Sequence, residues 1–329
     1  MKGERGMKID VKNQVFSLGS TEDLIRTDKS LASFVKTYYN FTHTDVKLMG
    51  SAKQLLVCSQ PRSGSTFLTN SIRNALDFHA SQMCEIINIP LFAKDYNLTF
   101  EDGVSDYVTP SHTPYFPGIL GTFAKNNNVV MHHHYIANIQ TLWNLARLPN
   151  LHIVVTTRNI ADSLVSYRDF FKKEAAKGVT DFTAKYGMSG EDFISRFRTK
   201  KMMEKFTTHS DEYLLDYMID LFSPWFFEYV LSWKEVERNG MLNIKFVSYE
   251  NMIVDEAKTL VDVAEHIGVS LELETARRVV KKEKSEKERS QINVGISGRG
   301  SAELTAAQKK RLRNIGEYFA DDEVLEKFL

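Results

Sequence analysis

Residues 53–70 read KQLLVCSQPRSGSTFLTN. An apolar run, Leu55 to Cys58, breaks at Pro61 into small hydroxyl residues and one glycine. Apolar residues then resume at Phe67 and Leu68, at helical positions. Strand, tight loop, helix is the order that gathers backbone N–H groups around an anion. The loop is not the triphosphate-binding pattern G-x-x-x-x-G-K-[ST], because it has one glycine and an arginine where that pattern is specific.

Three further apolar, β-branched runs follow: NVVMHH (128–133), LHIVVTTR (151–158) and LNIKFVSY (242–249). With QLLVCS (54–59) they predict four strands. Segments of helical periodicity lie between them, such as TFLTNSIRNALDF and ADSLVSYRDFFKKEAA. Apolar strands alternating with helices indicate an α/β fold with a central parallel sheet flanked by helices. Ligands in such sheets bind beyond the carboxyl ends of the strands, where every motif below falls. Residues 1–50 read as an N-terminal extension packing on a single main domain, 51–329. Two insertions, 85–127 and 171–230, read as substrate cover; His112, Tyr115 and Phe116 of the first are candidate pocket-lining residues. The aromatic stretch LFSPWFFEYVLSW in and beyond the second reads first as core.

Composition sets limits. The 329 residues can bury a sizeable core, and 43% hydrophobic with 26% charged content is that of a globular protein. Lys+Arg and Asp+Glu both total 42, which argues against a broad nucleic-acid surface while permitting a local basic pocket. The two cysteines, Cys58 and Cys84, give no disulfide framework. No run approaches the ~20 apolar residues of a membrane span. The N-terminus lacks an apolar signal core, so the sequons at Asn40 and Asn97 read as chance matches and the expected location is cytoplasmic.

Three motifs carry chemistry. Arg62-Ser63-Gly64-Ser65-Thr66 offers successive N–H donors, hydroxyls and a guanidinium suited to an anion, and Gly64 permits close backbone approach. In TTRNIADSLVSYRDFF, Arg158 ends a strand and Ser166 lies two turns into the next helix, so the pair can clamp a second anion; Asp162 and Ser163 are helix-start residues. His132, His133 and His134 end the 128–133 strand, and a histidine titrating near pH 6.5 suits a general base. Neighbours in a strand point to opposite faces, which disfavours the rival reading of a metal site. The mixed-charge run RRVVKKEKSEKERS (277–290) reads as a solvated helix face, with closure over a ligand as the alternative.

PRSGSTF (61–67) and RNIADSLVSYR (158–168), about 90 residues apart, resemble the two donor-binding motifs of the PAPS-dependent sulfotransferases. The overall pattern is that of the cytosolic type, and the arginine in the loop is like that of carbohydrate-acting members. The resemblance continues through SPWFFEYVLSWKEVERNGMLNIKFVSYENM (223–252), AEHIGVSL (264–271) and GRGSAELTAAQ (298–308), covering roughly 53–310. It implies 3'-phosphoadenosine 5'-phosphosulfate (PAPS) as sulfuryl donor and a small-molecule acceptor. It also implies that Arg62, Ser63, Gly64, Ser65 and Thr66 hold the 5'-phosphosulfate. Arg158 and Ser166, helped by Arg299 and Gly300, would hold the 3'-phosphate in a second, separate cradle, with Phe67 and Tyr249 at the adenine. The family's Lys-x-His places the base at His133, with His132 and His134 as alternatives and Met131 in the lysine position. A sulfuryl group carries less charge than a γ-phosphoryl group, so donors and one cation suffice and no metal is expected. The rivals are a P-loop-type nucleotide kinase and a non-catalytic nucleotide-binding relative. Neither the oligomeric state nor the acceptor is legible.

Overall fold

The computed structural model describes residues 8–10, 15–17, 52–81, 128–146, 150–177, 205–285 and 296–329. The insertion 85–127, residues 178–204 and most of the 1–50 extension lie outside these, and with them His112, Tyr115 and Phe116. Within the unit Met1–Met49, two short strands, β1 (Lys8–Asp10) and β2 (Val15–Ser17), pair antiparallel.

The unit Gly50–Leu329 is built on a five-stranded parallel sheet. Its strands are β3 (Gln54–Ser59), β4 (His79–Ser81), β5 (Val129–His133), β6 (Leu151–Thr157) and β7 (Ile244–Ser248), in the order β4-β5-β3-β6-β7. Four of them are the strands expected from the apolar runs. The fifth, β4, is an edge strand of three residues, too short to show a period. The expected strand 242–249 ends one residue early, because the Ser248 hydroxyl accepts from Asn251 N–H (3.2 Å) and caps a helix that begins at Tyr249. The connection after β3 runs to one side of the sheet and that after β6 to the other. The carboxyl ends of these neighbouring strands are therefore the switch point where such sheets bind ligands.

Helices cover both faces. On one, Leu55, Val57, Val130, Val154 and Val247 pack with Leu68 and Ile72 of α1 (Ser65–Leu76) and with residues of three more helices. Those are Tyr249 and Met252 of α5 (Tyr249–Val254), Leu260 and Val263 of α6 (Glu256–His266), and Ala276 and Val280 of α7 (Leu273–Ser285). Of the mixed-charge run, the described part 277–285 has an apolar seam on the core and charges outside, with Glu283 bonded to Asn74 near the far end of α1 from the loop. A short helix, α2 (Ile139–Leu145), follows β5.

The other face is covered by α3 (Ile160–Lys177) and α4 (Asp211–Asn239). Phe222, Trp225, Phe226, Phe227, Tyr229 and Trp233 of α4 are buried, so the aromatic stretch is core. Tyr167 and Phe171 of α3 meet Phe222 at ring-centroid distances of 5.3 and 5.8 Å, within the aromatic-pairing range. The Tyr229 hydroxyl donates to Cys58 O (2.8 Å) and Trp233 Nε1 to Tyr135 O (2.7 Å), fixing α4 across the carboxyl ends of β3 and β5. Three short helices end the chain: α8 (Arg299–Glu303), α9 (Ala306–Gly316) and α10 (Asp322–Leu325). Among the described residues no helix is long and apolar enough to cross a membrane.

Tyr229→Phe removes the hydroxyl without changing shape and deletes the hydrogen bond from α4 to the Cys58 carbonyl. Unfolding in urea should show a loss of about 1–2 kcal/mol. An unchanged midpoint would show that this hydrogen bond does not hold α4 on the sheet.

Candidate active site

The loop after β3 is held from below. Gln60 is fully buried, and its backbone N–H donates to Thr156 O of β6 (3.0 Å). Arg62 and Gly64 both have positive φ, 69° and 78°. A Cβ at Gly64 would overlap Met252 and come within 3.1 Å of the Tyr249 ring, so both conformation and space require glycine there. Gly64 caps α1 without a side-chain hydrogen bond, so the first-turn N–H groups of Ser65, Thr66 and Phe67 are turned out beyond the helix end. The positive end of the α1 dipole adds to them. Ser63 is placed differently from expectation. Its hydroxyl donates to Gln60 O (2.6 Å) and meets Thr156 Oγ1 (2.6 Å), so it shapes the loop from inside.

The second motif joins the first instead of standing apart from it. The Arg158 backbone N–H donates to Gln60 Oε1 (3.0 Å), and Arg158 Nη1 donates to Arg62 O (3.0 Å). Arg62 Nε donates to Ser166 Oγ (3.2 Å), with the guanidinium carbon 5.2 Å from the Phe170 ring centre. The two motifs expected to make separate cradles are in direct contact. The reason is sheet order: β3 and β6 are adjacent, so the loops leaving them start only about 5 Å apart.

Electrostatically the site is short of negative charge. Burial lowers the pKa of both Arg62 and Arg158, and their mutual repulsion adds to this at Arg62. Arg158 lies 3.8 Å from Asp162 and 4.2 Å above the Tyr249 ring. Its Nε is buried and, among the described residues, has no hydrogen-bond partner. An unsatisfied buried guanidinium N–H is costly, and an incoming anion relieves that cost. Tyr249 therefore gives one ring face to Arg158, while Phe67, partly buried, packs on the same core beside it.

Arg299 and Gly300 reach the region but are already engaged. The Arg299 guanidinium bonds Asp169 Oδ2 and Glu303 Oε1 (2.7 Å each), and the Gly300 N–H donates to Asp162 Oδ1 (2.6 Å). Burial lowers the Arg299 pKa, but the bonds to Asp169 and Glu303 outweigh it and raise the net value. The sequence reading missed two residues, Gln60 and Asp162 in its bridging role. The signal for Gln60 was a polar residue between a buried strand and Pro61, a position that faces inward.

The histidines divide as strand alternation requires. Ser59 Oγ lies 2.8 Å from His132 Nε2 and 3.0 Å from His134 Nδ1, and His134 Nδ1 donates to Ser59 O (2.7 Å). A carbonyl only accepts, so His134 carries its proton on Nδ1 and its lone pair on Nε2. His133 is buried on the other side and stacks on Tyr135 with ring centres 5.0 Å apart. Among the described residues no three His, Cys, Asp or Glu side chains are grouped as ligands of one ion.

Burial pushes the His134 imidazole down to about 4; the bond to Ser59 O opposes this and the Arg62 charge assists it. The unfolded chain takes up that proton near pH 6.5, while the folded protein resists until about pH 4. Stability contributed here is complete above pH 6.5 and falls as pH drops toward 4, by on the order of 3 kcal/mol. His134→Gln should flatten that part of the stability–pH curve measured by denaturant unfolding. An identical slope in the variant would show that the ring titrates normally.

Comparison with known proteins bears on the family and the fold. A sulfotransferase-domain family model matches residues 52–294. No curated protein matches the chain. Among solved structures, the mouse sulfotransferase SULT7A1 complexed with PAP is 14% identical, with a TM-score of 0.54 over 84% of this chain and 89% of that one. The sulfotransferase domain of the Synechococcus PCC 7002 olefin synthase is 12% identical, with a TM-score of 0.46 over 83% and 96%. A sulfotransferase from Alicyclobacillus acidocaldarius is 13% identical, with a TM-score of 0.40 over 84% and 99%. At these identities the mouse structure supports the fold, while the family model covers well over half of the sequence: this chain belongs to the sulfotransferase family.

Proposed function

We propose that this enzyme transfers a sulfuryl group from PAPS to a hydroxyl, or an amine, of a small-molecule acceptor. The observation that carries the reading is the contact between buried Arg158 and partly buried Arg62 at the switch point, with Arg158 Nε lacking a hydrogen-bond partner among the described residues, beside the N-terminus of α1. That arrangement fits a nucleotide with two anionic groups, and the PAP complex of the mouse relative supports it. PAPS supplies the sulfuryl group when bound. The N–H groups of Ser65, Thr66 and Phe67 and the hydroxyls of Ser65 and Thr66 bind its 5' end, with Gly64 allowing the approach. Arg158 and Ser166 bind the 3' end, while Phe67 and the edge of Tyr249 meet the base.

Arg62 is the cation that neutralises charge growing on the departing phosphate oxygen. His133 removes the acceptor proton. Its support is the match to the histidine of Lys-x-His, with Met131 standing at the lysine position. The absence of a P-loop lysine disfavours a kinase, whose charge-dense γ-phosphoryl group needs more cationic help. Arg299, neutralised by Asp169 and Glu303, is a minor contributor to donor binding compared with Arg158.

Calorimetry should show binding of adenosine 3',5'-bisphosphate and none of ATP–Mg²⁺; the reverse result removes the sulfotransferase reading in favour of a kinase. With labelled PAPS and a panel of phenols, alcohols, amines and sugars, Arg62→Ala should lower kcat roughly 10²–10³-fold with little change in unfolding midpoint. Tight nucleotide binding with no turnover on any acceptor would favour a non-catalytic relative. His133→Ala should cost roughly 10²–10⁴-fold, more than either neighbour. An acid limb of kcat/KM near pH 4 would transfer the role of base to His134, whose pKa lies there.

A further inference from the structure

The turn that opens α8, Gly298 to Gly300, closes around one buried side chain. Asp162 Oδ2 accepts from Gly298 N–H (2.7 Å), with the Ser297 hydroxyl at 3.4 Å, and Oδ1 accepts from Gly300 N–H (2.6 Å). Asp162 is only 1% exposed, so these bonds lie out of water and are charge-assisted. Two other contacts fasten the same turn to α3. A Cβ at Gly300 would overlap Ala161 and come within 2.7 Å of Asp162 N. Arg299 bonds Asp169 and Glu303, and Arg168, 4% exposed, bonds the same two carboxylates at 2.6 and 2.7 Å. At the start of this segment, Ile296 O accepts from Arg158 Nη2 (2.8 Å).

Building on the reading of Arg158 as a donor ligand, we propose that Asp162 is a positioning residue that sets donor affinity through the 296–300 turn. A guanidinium is a rigid plane, and two hydrogen bonds from different nitrogens fix its rotation. Arg158 has those two points: Nη1 on Arg62 O and Nη2 on Ile296 O. The second exists only while the turn is held against α3, and the Asp162 carboxylate holds it by two backbone N–H groups. Asp162 gives both oxygens to the turn and also lies 3.8 Å from Arg158 Nη2, so it acts on Arg158 through the turn as well as by its own charge.

Asp162→Asn keeps the shape but offers one acceptor oxygen to two N–H donors. We expect about a tenfold rise in KM for PAPS and in Kd for adenosine 3',5'-bisphosphate, with kcat within about twofold. Hydrogen exchange at the Gly298 and Gly300 amides should accelerate. Gly300→Ala keeps the Asp162 carboxylate and the Arg158 guanidinium, crowds the turn off Ala161 and the Asp162 backbone, and should give the same pattern, so the outcome does not depend on one variant folding. Unchanged exchange in Asp162→Asn overturns the tether, and a fall in kcat at constant KM overturns the positioning role. If the unmodified enzyme fails to bind the bisphosphate, the proposed function falls. The exchange rates, measured without ligand, still decide whether Asp162 holds the turn.

Discussion

The side chain of Gln60 is the joint on which the site depends. Its amide accepts from the Arg158 backbone N–H through Oε1 and donates to Ser163 Oγ through Nε2 (2.8 Å), while its own carbonyl receives the Ser63 N–H and hydroxyl. Each of these groups is fully buried or nearly so. A buried amide left half-satisfied is costly, so the network is stable in one arrangement of the two loops. That arrangement places the guanidinium of Arg158 beneath the backbone of Arg62. Everything proposed about anion binding follows from this forced proximity.

Bringing two cations together out of water is unfavourable unless something compensates. The protein supplies partial compensation: Asp162 at 3.8 Å, the face of Tyr249, the face of Phe170 and the Ser166 hydroxyl. It stops short of a full counter-charge at Arg158 Nε. Elsewhere the same region neutralises its arginines thoroughly, as Arg168 and Arg299 share Asp169 and Glu303. The contrast separates arginines paired with carboxylates from the two at which the proposed donor would bind.

Ser59 links this charge centre to the histidines. As the last residue of β3 it stands next to the loop, and its hydroxyl and carbonyl engage two rings from the end of β5. The parallel register of β3 and β5, with Cys58 opposite His133, brings the histidines to within a strand spacing of the cationic loop. The middle ring faces Tyr135 and the α4 side instead, where Trp233 bonds Tyr135 O.

The sequence by itself determined the strands β3, β5, β6 and β7, the helices after the first and third of these, and the chemical character of the loops. Such information is local: continuous apolar runs, a proline and glycine between strand and helix, and hydroxyls beside an arginine. Tertiary structure alone decided that the two arginine-bearing motifs touch, that the Ser63 hydroxyl turns inward, and that Arg299 is spent on carboxylates. It also decided that Asp162 binds a turn 136 residues away along the chain. Each of these depends on strand order and on partners distant in sequence. A one-dimensional pattern specifies which groups a residue can bond, but only the folded sheet specifies which of them lie within reach.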